Sequence, residues 1–443
     1  MVSTGAQEPI ITVGIADRQP EVAGHLNGAF LVEGMRSLSG PFHVRAAASE
    51  IMLFDEGQQL IAHSRFLRLT ASEGSTFTIF GVTIGIRFHW ERKEDQVFPG
   101  NLIFAAREDG TMAVINEIPL EDYLVSVISS EMSGRAPGEF LKAHAIMSRS
   151  WLMASLEQKN SSVPGKQPPA NQKEIIRWYN REDHDIFDVC ADDHCQRYQG
   201  ITKIISGEAA HAVKETRGLI LSYGGMVCDA RYYKACGGLT ENYETAWEDV
   251  HVPYLVSIAD SRDALSPVMS EEEAARWIFS SPDVYCNTKD RALLSEILPG
   301  FDQETTNFFR WKVEYSRSEL EDIIRQRSGM DVGTLLEIVP VERGPSGRIR
   351  RLRITGTEES IVIGKELEIR RWLSPSHLYS SAFVVSSAGP SDGPPERFTL
   401  DGAGWGHGVG LCQIGAAVMA DKGFTASQIL KHYFTGAQME KIY

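Results

Sequence analysis

Two patterns of apolar positions divide the chain near residue 115. Before that point apolar residues alternate with polar ones, as in Ile10 to Ile15 and in the β-branched and aromatic run 77–90, which predicts strands. From Leu120 the apolar residues recur at helical spacing. This spacing predicts a helix over 120–130 and, after a Pro-Gly break, a second helix over 139–158 that is apolar on most sides and therefore buried.

The remaining residues predict a mixture of strands and helices. We expect strands within 215–258 and 308–372. Helical segments are expected at 266–298, near 318–327, at 412–422 and at 426–434. An exposed loop is expected at 160–172 and a flexible connection at 386–396. The predicted fold is a multidomain α+β fold, with β-rich domains and a helical segment. We divide it into a β-rich domain (1–112), a core (113–265), an α+β domain (266–385) and a C-terminal segment that completes the core (386–443).

Composition narrows the class of protein. With 443 residues, 42% hydrophobic residues and 23% charged residues, the chain is typical of a globular protein. A net charge of −15 argues against a general binder of nucleic acid or anionic membranes. The one basic run, 347–354, alternates with apolar residues and predicts a strand with one solvated face. No stretch has the apolar length of a transmembrane segment, and the N-terminus lacks the pattern of a signal peptide.

A dense group of candidate metal ligands lies in the middle of the chain. His184, Cys190, His194 and Cys195 supply two thiols and two imidazoles, the ligand types of a closed tetrahedral zinc site. Such a site would be structural because no coordination position is left for substrate. A disulfide between Cys190 and Cys195, or oxygen ligands from the neighbouring aspartates, are the alternatives. The other four cysteines are widely spaced, and six are too few for a disulfide framework.

A candidate acid lies at the end of the first predicted helix. Glu131 continues the apolar face formed by Leu124, Val127 and Ile128. Burial raises the pKa of a carboxyl group, and a protonated carboxyl can act as a general acid. The alternative is a glutamate at a helix end that points to solvent.

The second predicted helix carries polar side chains on a largely apolar surface. Arg149, in a stripe with Lys142, needs a partner if it is buried, and either a carboxylate or a substrate would serve. His144 and Ser148 are four residues apart and face one side, where structural hydrogen bonding is the simpler interpretation.

Glycine alternates with larger residues over 402–410. In an extended strand this places Trp405 and His407 on one face and bare backbone on the other, where another element or a ligand would approach closely. The spacing does not match a nucleotide-binding glycine motif. Tyr232 and Tyr233 precede a turn at Gly238, and their rings would either stack on sugars or fill the core.

Together these segments resemble the stage II sporulation protein D family, which includes the amidase enhancers. The resemblance covers about residues 110–443 and rests on three blocks: IPLEDYLVSVISSEM with EFLKAHAIMSRSWLMA, DVCADDHCQRYQG with CDARYYKACGGLTENYETAW, and GAGWGHGVGLCQIGAAVMADKG with ILKHYFTG. It implies a lytic transglycosylase of peptidoglycan that cleaves the bond between N-acetylmuramic acid and N-acetylglucosamine. Strands without stem peptides are the expected substrate.

The resemblance also implies roles for single residues. Glu131 matches the catalytic glutamate, and structural zinc maps to His184, Cys190, His194 and Cys195. The expected substrate-binding residues are Lys142, His144, Ser148, Arg149, Tyr232, Tyr233, Gly238, Trp405, His407 and Gln413. Two departures affect substrate contacts: Ala235-Cys236 replaces a serine pair, and Lys234 replaces a histidine.

Two further functions compete with the transglycosylase. One is a non-catalytic cell-wall scaffold that activates an N-acetylmuramoyl-L-alanine amidase, and the other is a zinc hydrolase, which a closed ligand shell disfavours. Since peptidoglycan lies outside the cytoplasm, we expect the protein to act in the periplasm or at the cell wall.

Overall fold

The computed structural model describes residues 7–32, 36–47, 49–86, 91–161, 173–179, 184–304 and 307–443. The chain divides into two compact units. The first comprises residues 1–149, 181–220 and 441–443, and the second comprises residues 150–180 and 221–440. The predicted loop at 160–172 lies almost wholly outside the described residues, and no described helix is long and apolar enough to cross a membrane.

The first unit is built on one large sheet whose order is β12-β1-β10-β9-β6-β2-β3-β4-β5, with β7 pairing with both β2 and β8. Among the described residues, its strand pairings are antiparallel except that of β1 with β12. The strands are β1 (Ile10–Gln19), β2 (Glu21–Val32), β3 (Arg36–Ala47), β4 (Glu50–Asp55), β5 (Leu60–Ser64), β6 (Phe66–Ala71), β7 (Thr76–Ile84), β8 (Arg92–Pro99), β9 (Asn101–Ala106), β10 (Met112–Pro119) and β12 (Val189–Cys190).

Three helices follow or flank this sheet in sequence: α1 (Leu120–Glu131), α2 (Gly138–Ser161) and α3 (Glu208–Glu215). Helix α1 begins directly at the end of β10, and Tyr123, Leu124, Val127 and Ile128 are all fully buried. Its helical face therefore anchors the helix and places Glu131 at its end. The chain passes from the first unit to the second within α2.

The second unit contains several smaller sheets. Their orders are β11-β19-β18-β17, β16-β21-β20 and β15-β22, and β13 pairs with β14. The strands are β11 (Glu174–Ile176), β13 (Leu219–Tyr223), β14 (Met226–Val227), β15 (Tyr232–Tyr233), β16 (Arg310–Ser316), β17 (Leu335–Arg343), β18 (Ile349–Gly356), β19 (Ser360–Gly364), β20 (Phe383–Ala388), β21 (Arg397–Ala403), β22 (Leu411–Cys412) and β23 (Gln438–Lys441). The first residues of β13 and the last of β23 belong to the first unit.

Short helices connect these strands. They are α4 (Tyr243–Ala246), α5 (Glu271–Ile278), α6 (Arg291–Ile297), α7 (Arg317–Ser328), α8 (Glu366–Trp372), α9 (Gln413–Asp421) and α10 (Ala426–Tyr433), with one 3₁₀ turn at Gly300–Glu304. One apolar core of this unit surrounds Trp372, Leu352 and Phe383.

The multidomain α+β prediction is confirmed. The predicted helices over 120–130, 139–158, 318–327, 412–422 and 426–434 are present within one to three residues at their ends. The four-part domain division stays a prediction.

Three local predictions were confirmed only in part. Residues 266–298 form two short helices because proline and polar turns separate them, and within 386–396 residues 386–388 belong to β20 while 389–396 connect β20 to β21. The basic run forms β18 with the solvated positions that were predicted. Arg348, in contrast, is fully buried and donates hydrogen bonds to the carbonyls of Cys236 and Gly406.

Candidate functional site

The candidate acid is a buried carboxyl group at the end of α1. Glu131 is the last residue of the helix and is 8% exposed. Its Oε1 atom accepts a hydrogen bond of 3.0 Å from the backbone amide of Arg197. The chain becomes extended at Met132, so the carboxyl lies where the helix ends rather than along its solvent face.

Arg149 is paired with a different glutamate. Its Nε and Nη2 atoms donate to the two carboxylate oxygens of Glu121 at 2.9 and 2.6 Å, and Nη1 donates to the carbonyl of Leu219 at 2.8 Å. Arg149 is fully buried. A two-pronged pair of this kind holds α2 to the first turn of α1. The partner that the buried arginine requires is therefore a carboxylate of the protein.

The other polar residues on the first half of α2 have protein neighbours as well. The ammonium of Lys142 contacts Glu139 at 2.9 Å and Glu215 at 2.7 Å, and the hydrogen bond that it donates to Glu215 is the main cause of its raised pKa. His144 is fully buried and packs on the ring of Phe140. Ser148 is also buried, and its hydroxyl has no hydrogen-bond partner among the described residues.

The four candidate metal ligands of the first unit converge. One ligand atom from each of His184, Cys190, His194 and Cys195 lies within 4.8 Å of all the others. The Cys195 sulfur is 3.2 Å from His184 Nε2 and 3.5 Å from His194 Nδ1. No disulfide joins Cys190 to Cys195. Hydrogen bonding to Cys195, with smaller effects from both histidines, lowers the pKa of Cys190 to about 2, so the donor set could bind a metal cation.

The sheet fixes the segment that carries these ligands. β12 pairs in parallel with β1, with Val189 beside Val13 and Cys190 beside Gly14. The carboxylate of Asp188 accepts hydrogen bonds from the amide and the hydroxyl of Thr12 at 2.9 and 2.8 Å. A Cβ atom on Gly14 would lie 2.6 Å from the ring of Phe187, so a glycine is needed at this approach.

The same segment continues to the candidate acid. Arg197, whose amide contacts Glu131, follows Cys195 by two residues, and its guanidinium pairs with Asp193. Between them, Gln196 is fully buried and accepts a hydrogen bond from the Tyr123 hydroxyl at 3.2 Å. Burial raises the pKa of Tyr123 well above its ordinary value, and the nearby Cys195, Cys190 and Glu131 act in the same direction.

The remaining expected site residues lie in the second unit. Tyr232 and Tyr233 form β15, which pairs in parallel with β22. The ring of His407 lies 5.3 Å from that of Tyr233 and 4.8 Å from that of Trp247. Burial and the cations of Arg231, Arg348 and Arg370 lower the pKa of His407 well below its ordinary value, so the imidazole is neutral.

Of the two conformations that the glycine alternation allows, an extended strand or a loop, the segment after Ala403 adopts the loop. β21 ends at Ala403, and Gly404, Gly406, Gly408 and Gly410 all have positive φ angles between 77° and 98°. The close approach comes from the protein itself: Cβ atoms at these positions would meet, in turn, Ala235, Tyr233, Arg348 and Arg231 at 2.8 Å or less. Left-handed backbone and crowding both require glycine here.

Three other expected residues are held by the folding of this unit. The Trp405 backbone exchanges hydrogen bonds of 3.1 and 2.7 Å with that of Ala235, and its ring packs on Tyr379 and Phe308. Gln413 is the first residue of α9 and is 2% exposed. Gly238 has a φ of 114° and packs against the Trp277 ring.

Sequence reasoning did not single out Glu121, Gln196 or Arg197. All three lie inside the motif blocks quoted above, and a buried arginine with no partner assigned was the signal for Glu121. The role of Arg197 had no such signal because it acts through its backbone amide.

Comparisons with known proteins agree with the family resemblance. Residues 108–223 match the family model described as Stage II sporulation protein, and residues 241–410 match a domain of unknown function. The chain is 25% identical to Stage II sporulation protein D of Bacillus amyloliquefaciens over 74% of its own length and 76% of that protein. It is 24% identical to the Bacillus subtilis protein of the same name, again over 74% and 76%.

A shorter match extends the similarity to the other branch of the family. The chain is 23% identical to the amidase enhancer of Bacillus subtilis, over 52% of its length and 32% of that protein. The family-model match covers the segment that contains Glu131, the candidate metal ligands and Arg197. Residues 108–223 thus match the stage II sporulation protein family, and the chain is similar to stage II sporulation protein D and, over a shorter part, to an amidase enhancer.

Proposed function

We propose that the protein acts on the cell wall as a lytic transglycosylase that cleaves the glycan bond between N-acetylmuramic acid and N-acetylglucosamine. The observation that carries this proposal is the position of Glu131, a buried carboxyl group fixed at a helix end by the Arg197 amide. The family similarity agrees with a substrate in the cell wall. A substrate of this kind requires an extracytoplasmic location.

One carboxyl group can perform both proton transfers of this reaction. Protonated Glu131 donates its proton to the glycosidic oxygen as the bond to the anomeric carbon breaks. The N-acetyl group of the muramic acid stabilises the positive charge on that carbon. The carboxylate of Glu131 then takes the proton of the 6-hydroxyl, whose oxygen attacks the anomeric carbon to give a 1,6-anhydro end. Water is not consumed, so the second carboxylate of ordinary glycosidases is not needed.

The protein around Glu131 has positioning roles in this scheme. The hydrogen bond from Arg197 to Oε1 fixes the orientation of the carboxyl, which matters because the same group must face two oxygens in turn. Arg149 acts indirectly. Its ion pair with Glu121 fixes α2 against α1, the helix that ends in Glu131. We assign Arg149 this positioning role instead of a contact with sugar.

Zinc fits the donor set of the first unit. Two thiolates and two imidazoles whose ligand atoms lie within 4.8 Å of one another satisfy a tetrahedral zinc ion. His184, Cys190, His194 and Cys195 would hold it, and a closed shell of four protein ligands gives the ion a structural task. The task we assign is to order the segment that ends at Arg197.

Each unit, taken by itself, offers polar or aromatic side chains that could contact glycan. In the first unit we propose Lys142, His144 and Ser148. In the second unit we propose, as a separate set, Tyr232, Tyr233, Gly238, Trp405, His407 and Gln413. Rings such as Tyr233 and Trp405 suit the apolar faces of sugars, while the hydroxyl of Ser148 suits a sugar hydroxyl.

The test compares Glu131→Gln with wild type on peptide-free glycan strands. We expect glycan cleavage to fall by at least about 100-fold while sedimentation with the strands is unchanged, since glutamine keeps the acceptor for the Arg197 amide but cannot transfer a proton. Glu208→Gln, which neutralises an exposed carboxylate at the start of α3, is the matched control and should cleave like wild type. Full activity in Glu131→Gln would overturn the proposal.

A second candidate function rests on the similarity to the amidase enhancer. In that case the protein would bind peptidoglycan and increase the rate of a separate N-acetylmuramoyl-L-alanine amidase without cleaving glycan. Adding wild type and Glu131→Gln to such an amidase distinguishes the two functions. Equal stimulation by both proteins, with no glycan products from either, would favour the scaffold.

A further inference from the structure

Four ligand-type side chains meet in the interior of the second unit, away in sequence from the cluster described above. They are Cys236, Asp260, Cys286 and Cys412, and one ligand atom from each lies within 4.8 Å of all the others. Their exposed fractions are between 0 and 3%. We infer that these residues form a second metal centre, a closed structural site for one thiophilic divalent cation such as zinc.

The spacing suits a single ion. The sulfur atoms of Cys236 and Cys286 are 3.4 Å apart, whereas two thiolates on one tetrahedral zinc ion are about 3.8 Å apart for Zn–S bonds of about 2.3 Å. A shift of a few tenths of an ångström therefore admits the ion. A disulfide would need a much larger one, since its sulfurs are about 2.05 Å apart.

The backbone holds the four residues in place before any ion binds. β15 and β22 pair so that Tyr233 lies beside Cys412, and the Cys236 amide donates to the Cys412 sulfur at 3.3 Å. The Asp260 amide donates to the Gly238 carbonyl at 3.0 Å, and the Cys286 amide donates to Asp260 Oδ2 at 2.8 Å. The site thus joins four distant parts of the chain.

Backbone amides donate hydrogen bonds to two of the sulfur atoms. The amide of Gly238 donates to the Cys236 sulfur at 3.2 Å, and that of Gly415, in the first turn of α9, donates to the Cys412 sulfur at 3.4 Å. Hydrogen bonds of this kind, and a helix N-terminus, stabilise thiolates.

The carboxylate has its own supporting contact. The Tyr433 hydroxyl donates to Asp260 Oδ1 at 2.5 Å, and a Cβ atom on Gly415 would lie 2.3 Å from that oxygen. The ligand oxygen is thereby oriented by a second residue, as in known metal sites.

Charge gives an independent reason for a cation. Asp260 is fully buried, and no lysine, arginine or histidine forms an ion pair with it among the described residues. The guanidinium of Arg310, which lies near Cys286 and Cys236, donates to the carbonyls of Ile278, Trp277 and Gly237. Buried carboxylates are ordinarily paired or bound to metal, and three thiols beside this one supply the ligands that zinc prefers.

Such a centre would stabilise the face that we propose for glycan binding. Cys412 follows the glycine-rich loop by two residues, and Cys236 follows Tyr233 by three. Four protein ligands leave no position for substrate, so the ion would have a structural role.

The test is the zinc content of the purified full chain, measured by elemental mass spectrometry. Wild type should hold about two zinc ions per chain, and the double variant His184→Ala/Cys190→Ser, which lacks the first cluster, should keep about one. Adding Cys412→Ser to the double variant should remove that last ion. Cys228→Ser is the matched control, because Cys228 is buried in the same unit but belongs to neither cluster.

A second measurement covers the case in which Cys412→Ser fails to fold. The double variant is loaded with cobalt after its zinc is removed, and three thiolates at one tetrahedral ion should give intense sulfur-to-cobalt absorption. A folded double variant that holds neither zinc nor cobalt overturns the inference. So does a Cys236–Cys286 disulfide in that variant, detected as the loss of two hydrogens in its intact mass. Neither result bears on glycan cleavage by Glu131.

Discussion

The backbone amide of Arg197 donates a 3.0 Å hydrogen bond to Oε1 of Glu131, and Arg197 lies two residues after Cys195. The segment that supplies the candidate metal ligands therefore also holds the candidate acid. In the proposed function, this arrangement would couple a closed structural metal site to a reaction in which the ion takes no direct part. It would also keep a single carboxyl group in one orientation at the end of a helix.

Disrupting the first metal cluster should impair cleavage through this contact. In Cys190→Ser we expect zinc content to fall by about one ion and cleavage to drop about 10- to 100-fold, since outer contacts that orient a reacting group have effects of this size. Glycan binding should change less. Zinc content and initial rate are measured on the same preparation, with Cys228→Ser as control. A zinc-depleted variant with the wild-type rate would show that the ion does not position Glu131.

The buried ion pair of Arg149 and Glu121 should affect the stability of the fold rather than the binding of substrate. Arg149→Met leaves the Glu121 carboxylate buried without its cation, and we expect the free energy of unfolding to fall by about 3–5 kcal/mol. Glu121→Leu combined with Arg149→Met should recover part of that loss because no charge is then stranded. Urea unfolding of the single and double variants tests this. Unchanged stability with a higher KM would instead assign Arg149 to the substrate.

The glycine-rich loop should not tolerate a side chain. Gly410 has a φ of 86°, and a Cβ atom there would lie 2.1 Å from the Arg231 carbonyl oxygen, whereas Gly423 has nearly the same φ, 87°, and open space. Gly423→Ala should therefore lower the free energy of unfolding by about 1–2 kcal/mol, the effect of placing alanine in left-handed backbone. Gly410→Ala should lower it distinctly more. Thermal unfolding gives both values, and equal losses would contradict the proposed crowding.

A buried glutamate should make stability depend on pH. Burial raises the pKa of Glu241 above its ordinary value of 4.5, while hydrogen bonds from Ser346 and the Asn242 amide oppose the shift. The unfolded chain then loses its proton at lower pH than the folded chain, so this residue's contribution to stability declines as the pH rises from about 4.5 through the folded-state pKa. Glu241→Gln should remove that decline from the curve of unfolding free energy against pH. An identical slope in the variant would refute the assignment.

Local patterns predicted much of this protein. The period of Tyr123, Leu124, Val127 and Ile128 gave α1 and placed Glu131 on its buried side, because a helical face needs only nearby residues to define it. The four ligands at 184–195 were found for the same reason: twelve residues of chain keep them close whatever the fold.

Features that depend on distant pairing could not be predicted in this way. The glycine alternation at 402–410 was compatible with a strand or a loop, and the residues that decide between them, Arg231, Tyr233 and Arg348, are brought beside it only by the fold. Cys236, Asp260, Cys286 and Cys412 are far apart in sequence. The pairing of β15 with β22 brings Cys412 to Cys236, and separate hydrogen bonds hold Asp260 and Cys286 beside them. The predicted burial of Arg149 indicated that this side chain needs a partner, but it did not identify Glu121 as that partner.

The central claim is that Glu131 carries out a glycan cleavage in which water takes no part. The most direct measurement is mass spectrometry of the products formed from peptide-free glycan strands in ¹⁸O-labelled water, by wild type and by Glu131→Gln. We expect wild type to yield 1,6-anhydro-muramic acid ends without ¹⁸O, and Glu131→Gln to yield none. Reducing ends that contain ¹⁸O would identify a hydrolase, and anhydro ends produced by Glu131→Gln would show that another residue is the acid.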